Sequence, residues 1–365
     1  MAADAGARIG LLLPPDEMDS VSLRRGVELA IAEATQGTAP GAYTLVVRGK
    51  PGQWGDDGEE SGRLVLDDEV QGLIGPTGGA ATHLLLQVAG RTAIPVVSLC
   101  GDSSVRGAGI PWLAQIVPAT GEEGRVLAAY WKTQGPQTGR ACVPVTPDAR
   151  AGREIDHDLR MAWEGAGLEL APRLELASTA EAAEITAAAK DIVRRRSPAI
   201  MVWLPGAQAA RLVAALRTSG YSGTIMGPAR LQSRRFVEAA GLQTSTNVIV
   251  AGFASGTGAT NSAAAVLESF AGRFNNQFQA EPDFLAAAAY DAARFILRHL
   301  EQGAESVHGR RFDKTVFSDG VMGAVQIDGS GARSVELAAM PLSQSPFVRA
   351  RRSGAPARPV VRIDK

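Results

Sequence analysis

The sequence predicts an α/β chain built as two doubly wound parallel-sheet lobes with a ligand cleft between them. Three observations lead there. Short apolar, β-branched runs alternate with longer segments of helical period along most of the 365 residues, the pattern of parallel strands covered by helices on both faces. The length suits two domains. The alternation also restarts after Pro118 with a helix, which divides the strands into two series.

The first strand-like run is Ile9-Gly10-Leu11-Leu12-Leu13, and a helix follows from about Ser20. In that helix Val27, Ala30, Ile31 and Ala34 recur at the i, i+3, i+4, i+7 spacing of one buried face. Further strands are expected at 43–47, 70–74 and 94–98, each followed by a helical or turn-rich stretch. The second series opens with a helix at 122–133 and continues with strands at 141–145, 168–176, 200–204, 224–226 and 248–251. Helices are expected between them at 150–166, 180–196, 207–218 and 231–240. Two more helices, 263–278 and 282–302, precede Gly- and polar-rich strands near 325–327 and 335–340. The tail from Ser343, rich in Pro, Ala and Arg, is expected to run along the surface.

Composition excludes several classes of function. Lys plus Arg total 37 and Asp plus Glu 38, a net charge of -1, so no general basic field invites nucleic acid or an anionic membrane. No apolar run is long enough for a spanning helix. Cys100 and Cys142 are too few for a disulfide framework and lack C-x-x-C spacing. The start lacks the basic and apolar regions of a signal peptide. Ala2-Ala3-Asp4-Ala5 reads either as the start of a mature exported protein behind an added initiator Met or as a frayed cytosolic start.

Motifs for catalysis fail one after another. Gly75-Pro76-Thr77-Gly78-Gly79-Ala80-Ala81-Thr82 joins a strand to a helix but lacks the Gly-Lys-Ser/Thr ending of a phosphate loop. Gly256-Thr257-Gly258 misses a third glycine and reads as a loop. The four histidines show no zinc spacing. Glu154, Asp156, His157 and Asp158 read as a solvated helix face, and Arg194-Arg195-Arg196 as the basic end of a helix. No G-x-S-x-G elbow occurs. We nominate no catalytic residue, no metal and no cofactor.

Ligands of open α/β sheets sit beyond the carboxyl ends of the strands, so the informative loops follow Leu13, Val47, Gly75, Ser98, Val145, Leu204 and Met226. Those loops carry a resemblance. Val70-Gln71-Gly72-Leu73-Ile74-Gly75-Pro76 with Ile94-Pro95-Val96-Val97-Ser98, residues 270–278 followed by Pro282 and Ala289-Tyr290-Asp291-Ala292, and Gly220-Tyr221 through Met226-Gly227-Pro228 are its most specific stretches. On these the chain resembles the type I periplasmic binding proteins, in the leucine/isoleucine/valine-binding and amide-binding branch of ABC-transporter substrate-binding proteins. The resemblance implies two lobes crossed three times by the chain, near Pro118, Ala251 and Gly323. The lobes are then 1–118 plus 252–323, and 119–251 plus 324–365.

The resemblance also implies site positions, and several have changed. Where the family holds a ligand α-carboxylate with hydroxyls, this chain has Gly79 after Thr77 and Gly78, and Asp102 after Cys100 and Gly101. The family's aromatic wall falls on Ala151, and its ammonium-binding acid on Ala229 or Arg230. Asp102 either accepts from a ligand hydroxyl or amine or caps the next turn with Ser103 or Ser104. Arg230 either faces an anionic ligand group or faces solvent. Trp54 and Trp203 are aromatic platforms or packing residues. These substitutions imply a small organic solute that is not a standard α-amino acid. The expected role is a periplasmic receptor that captures the solute by hinge closure for an ABC permease; the alternative is a non-transport sensor of the same fold acting through a protein partner.

Overall fold

The computed structural model describes residues 6–36, 41–49, 57–135, 141–241, 246–253, 261–302, 308–312, 316–334 and 336–349. In the first lobe β1 (Ala7–Leu12), α1 (Glu17–Thr35), β2 (Tyr43–Arg48), α2 (Asp57–Leu66), β3 (Gly72–Ile74), α3 (Gly79–Thr92), β4 (Val96–Ser98) and β5 (Leu113–Gln115) alternate. The five strands form one sheet in the order β2-β1-β3-β4-β5, every pair parallel. Strand β5 has no run of apolar residues long enough to announce it. It lies beyond a 3-10 turn, Ser103–Ala108, and its three residues are fully buried.

The second lobe continues with α4 (Thr120–Gln134), β6 (Val143–Pro147), α5 (Ala149–Gly165), β7 (Leu174–Leu176), α6 (Ala182–Arg195), β8 (Ala199–Val202), α7 (Gly206–Thr218), β9 (Thr224–Gly227), α8 (Arg234–Ala240) and β10 (Val248–Phe253). After these come α9 (Asn261–Phe278), α10 (Phe284–Glu301), β11 (Val316–Phe317), β12 (Val325–Gln326), β13 (Leu337–Pro341) and α11 (Pro346–Arg349). The second sheet runs β13-β10-β9-β8-β6-β7. It is parallel except at its edge, where β13 pairs antiparallel with β10, Val250 opposite Met340.

Helix α10 explains why the chain returns to the first lobe. Its residues Ala286, Ala287, Ala288, Ala289, Ala292 and Ala293 are all fully buried in one core with Ile9, Val27 and Ile74. Small side chains let neighbouring backbones approach closely, and Gly26 of α1 uses that space: a Cβ there would stand 2.2 Å from the Ala286 carbonyl oxygen. The cap of α10 is as crowded. Asp283 accepts from Ala286 N–H (2.9 Å), from Ser22 Oγ of α1 (3.0 Å) and from Arg234 N–H of α8 (2.7 Å), so one carboxylate ties the first lobe to the second.

The region expected to cross between lobes near Gly323 crosses later. Val325 and Ile327 pack in the first lobe's core, and the chain joins the second sheet only at Leu337. The anchor is Arg333, 1% exposed, against Asp291, 0% exposed, at 3.4 Å. Arg333 also donates to the carbonyls of Gly323 (2.6 Å) and Ala324 (3.1 Å), and its guanidinium lies 5.4 Å from the Phe253 ring centre. Its N–H donates to Gln115 O at 3.0 Å. Phe253 ends β10 and Gln115 ends β5, so one residue, through its side chain and its backbone, touches all three passages between the sheets. The expected surface tail is packed where it is described: Val348 is 1% exposed, Phe347 stands edge-on to Phe284, and Ser345 donates to Gln232 at 2.7 Å.

Cys100 and Cys142 are both buried free thiols; thiol titration of the denatured, unreduced protein should count both. Removing one partner of a buried pair leaves the other charge uncompensated, which costs about 3–5 kcal/mol. Asp291→Ala should therefore lower the urea midpoint sharply. Asp291→Asn, which keeps one acceptor oxygen for the Val321 N–H (2.8 Å) and gives up the one that serves Met322 (3.1 Å), should lower it less.

Candidate functional site

Loops at the carboxyl ends of the two parallel sheets approach one another across the expected cleft, Asp16 after β1 standing 3.2 Å from Arg235 after β9, and the residues nominated from sequence have unequal roles there. After β3, Thr77 is half-buried and Gly78 is exposed as the N-cap of α3 with no side-chain cap. Gly79 is a glycine for a local reason: a Cβ at that position would meet Asp102 Oδ2 at 2.5 Å. Asp102 in turn is occupied. Its Oδ1 accepts from Ser104 N–H (2.9 Å) and Ser104 Oγ (2.7 Å), capping the 3-10 turn, and its Oδ2 stands 3.4 Å from His83 Nε2. Of the two readings left open for Asp102, capping is the one the hydrogen bonds display. Gly101 lies half-buried beside it, and its carbonyl accepts from Thr120 N–H at 2.8 Å.

Cys100 lies under this loop, 3% exposed, with its sulfur accepting from Asp102 N–H at 3.3 Å. Burial pushes its thiol up to about 11, so it is held as a neutral group rather than a nucleophile. In the second lobe Ala151 is exposed in the first turn of α5. Trp203 is 6% exposed and packs among Leu127, Trp131, Trp163 and Met226, so its ring belongs to the core beneath the loop. Trp54 lies outside the described residues.

Arg230 is different in kind. It sits half-buried in the 3-10 turn Ala229–Gln232 after β9. Its guanidinium has no hydrogen-bond or ion-pair partner among the described residues. Its field reaches across the cleft, favouring charge on Asp19 of α1 and on Cys100 of the first lobe, and on Glu123 in its own lobe. Further along the cleft, Arg150 of α5 feels Asp102, and burial raises the carboxyl of Asp158 of α5 against the opposing influence of Ser103. The lobes thus meet with unlike polarity at most points: Asp16, Asp19, Asp102 and Asp283 on the first, Arg150, Arg230, Arg234 and Arg235 on the second. Arg235 stands 3.2 Å from Asp16. Arg106 with Glu122 (2.8 Å) and Asp158 run the other way. Among the described residues no group of three or more His, Cys, Asp or Glu side chains is disposed to hold a metal.

Sequence reading missed two acids here. Glu123 follows Glu122, whose carboxylate caps α4 at the Ala119 N–H (2.9 Å), and the pair reads as an ordinary acidic first turn. The structure buries Glu123 to 4% exposure and gives its Oε1 to the Ala229 N–H at 2.7 Å, which fixes the turn that carries Arg230. Asp19, 8% exposed, was hidden in the same way in the first turn of α1. The only signal for it was position, just beyond the carboxyl end of β1.

Burial raises the Glu123 carboxyl to about 8, against the Ala229 hydrogen bond and the field of Arg230. A carboxyl raised in the folded state binds a proton that the unfolded chain releases, so between its ordinary value of 4.5 and about 8 stability falls as pH rises. Thermal unfolding measured from pH 5 to pH 8 should show that decline. Glu123→Gln, which mimics the protonated acid, should flatten it.

A family model described as "Periplasmic binding protein" matches residues 8–335. No curated protein sequence matches the chain. Among solved structures, the isoleucine complex of the branched-chain amino acid transporter substrate-binding protein LivJ from Streptococcus pneumoniae is similar over 92% of this chain and 99% of that one, with 17% identity and a TM-score of 0.77. A solute-binding protein of an ABC transporter from R. palustris in complex with benzoate matches over 92% and 93%, with 17% identity and a TM-score of 0.79. The leucine-binding protein LivK from Thermotoga maritima matches over 92% and 98%, with 17% identity and a TM-score of 0.77. At that identity the structures establish the shared fold, two parallel-sheet lobes around a cleft. The family model, spanning nearly the whole chain, establishes more: this chain belongs to the periplasmic binding protein family.

Proposed function

We propose that the chain is the solute receptor of an ABC importer, acting in the periplasm, and that it captures a small organic ligand by closing one lobe on the other before delivering it to the permease. The observation that carries this reading is Arg230, a guanidinium with no partner among the described residues, on a loop of one lobe, whose field falls on Asp19 and Cys100 of the other. A cation left without a partner at a domain interface is a group kept for a ligand. The solved relatives agree in chemistry, since isoleucine, benzoate and 3,4-dihydroxybenzoic acid, the ligands of three of them, each carry a carboxyl group. No helix among the described residues is long and apolar enough to cross a membrane.

The same loops argue against standard α-amino acids as ligands. Gly79 and Asp102 leave no hydroxyl where the family grips the α-carboxylate, and Asp102 places a negative charge there. Ala151 offers no aromatic wall, and Arg230 stands where an acid would receive the ammonium. The site residues we assign to the solute are Thr77, Gly78, Gly79, Cys100, Gly101, Asp102, Ala151 and Arg230.

Two measurements test this. Two lobes joined by three passages rotate as rigid bodies, so a bound solute should shrink the radius of gyration in solution scattering; a confirmed binder that leaves the curve unchanged refutes hinge closure. A ligand at 100 times its Kd stabilises by about 2.7 kcal/mol, a melting shift of about 5–10 °C for a chain of this size. None of the twenty standard amino acids should produce such a shift.

A further inference from the structure

Asp19, three residues beyond the Asp16 cap of α1, and Arg230, on the turn before α8, lie on the two sides of the contact at which Arg235 stands 3.2 Å from Asp16, and each is left over when the surrounding described polar groups have been paired. Asp19 is 8% exposed, and its carboxylate has no hydrogen-bond or ion-pair partner among the described residues. Its charged neighbours are committed elsewhere. Asp16 accepts from Met18 and Asp19 N–H (3.0 and 3.1 Å) and lies 3.2 Å from Arg235. Asp283 is taken by Ser22, Arg234 and Ala286. Arg230 is in the same position. The acid in its own lobe, Glu123, serves the Ala229 N–H, and Asp102 serves Ser104. Asp19 and Arg230 interact through space yet form no ion pair with one another. Neither the Asp19 carboxylate nor the Arg230 guanidinium is among the sealed, partnerless polar atoms, so both stay open to solvent, and a molecule lying between them would engage both.

We propose that Asp19 and Arg230 grip opposite ends of one solute, a small molecule with an anionic group for Arg230 and a hydrogen-bond donor, best an ammonium, for Asp19. This rests on the receptor reading above and moves the acceptor role from Asp102, which is spent on its cap, to Asp19. The ligand bridges the lobes by its own dipole, with its negative end on the second lobe and its positive end on the first. Charge on separate ends, rather than on one carbon, fits a cleft that has lost the hydroxyls for an α-carboxylate. Burial raises the Asp19 carboxyl to about 6; Arg230 and Arg235 from the second lobe oppose that rise, and Asp16 and Asp283 add to it. Affinity for an ammonium-bearing solute should therefore weaken as pH falls through that value.

Calorimetry and thermal shift on the full chain test the proposal with four kinds of probe: benzoate and butyrate, benzylamine and butylamine, 4-(aminomethyl)benzoate and 4-aminobutyrate, and uncharged benzyl alcohol. Binding is expected to be tightest in the two-ended class. Asp19→Asn should weaken the two-ended probes by about tenfold or more and leave benzoate nearly unchanged, whereas Arg230→Gln should weaken benzoate and the two-ended probes alike. The ligand-free protein supplies a reading that needs no binder. Asp19→Asn removes an unpartnered buried charge and should raise the melting temperature at pH 7.5, the gain fading toward pH 5. A lower melting temperature for that variant would make Asp19 a structural group and overturn the proposal. So would one-ended probes that bind as well as two-ended ones, with the receptor reading left standing. If no probe binds while another solute compacts the protein in scattering, this proposal falls alone. If no solute does, the receptor reading falls with it.

Discussion

The contact between Arg333 and Asp291 is the constraint on which the two-lobed arrangement depends. Burial pushes the Asp291 carboxyl up and the Arg333 guanidinium down, each opposed by the attraction of the other. Such a pair adds little net stability compared with an apolar one, but it is demanding in geometry. Its geometry is what the fold uses. Arg333 holds the carbonyls of Gly323 and Ala324, lies over Phe253, and is hydrogen-bonded through its backbone to Gln115. The three passages between the sheets are thereby held in register at one point. In the hinge closure proposed above, which needs short linkers and a fixed pivot, this residue would be the pivot, set in the first lobe's core.

Polar groups in the core and in the cleft are treated differently. Asp283 and Asp291 are buried and each has its acceptors filled by N–H, hydroxyl or guanidinium donors. Asp19 and Arg230 have no such partner among the described residues. Natural chains satisfy their buried polar groups almost everywhere, and the exceptions gather where a ligand completes the set. Glu123 stands between the two cases. It is fully committed to the Ala229 N–H, but at the cost of a strongly raised carboxyl, and what it secures is the turn that presents Arg230.

Gly79 and Asp102 illustrate how two substitutions make one change. The carboxylate of Asp102 occupies the space a side chain at position 79 would need, so neither residue is intelligible without the other. Together they place a negative charge near the N-terminus of α3. The macrodipole favours that charge. The proposal accordingly turns a solute's anionic end toward Arg230, since Arg150, Arg234 and Arg235 of the second lobe are paired with Glu154, Glu238 and Asp16.

The sequence by itself determined the class of fold and the order of its elements, because burial on both faces of a parallel strand demands continuous apolar runs and burial on one face of a helix demands a 3.6-residue period. It also determined the loops that matter, since the carboxyl ends of β3, β4, β8 and β9 follow directly from that order. Tertiary structure decided everything that depends on who sits opposite whom. Strand β5 is three residues whose pairing is dictated by β4, and β13 is antiparallel because it enters the second sheet at Leu337 beside Phe253, the end at which β10 leaves it. Asp102 was legible as a change and not as a cap, because the cap lies in the direction of one side chain. Asp19 and Glu123 looked like two ordinary acids in helix first turns; only the packing of one lobe against the other, and of the Arg230 turn onto α4, removes them from water and sets one of them facing a guanidinium. Periodicity records which side of an element is buried, whereas charge pairing across a cleft is a relation between residues more than a hundred positions apart.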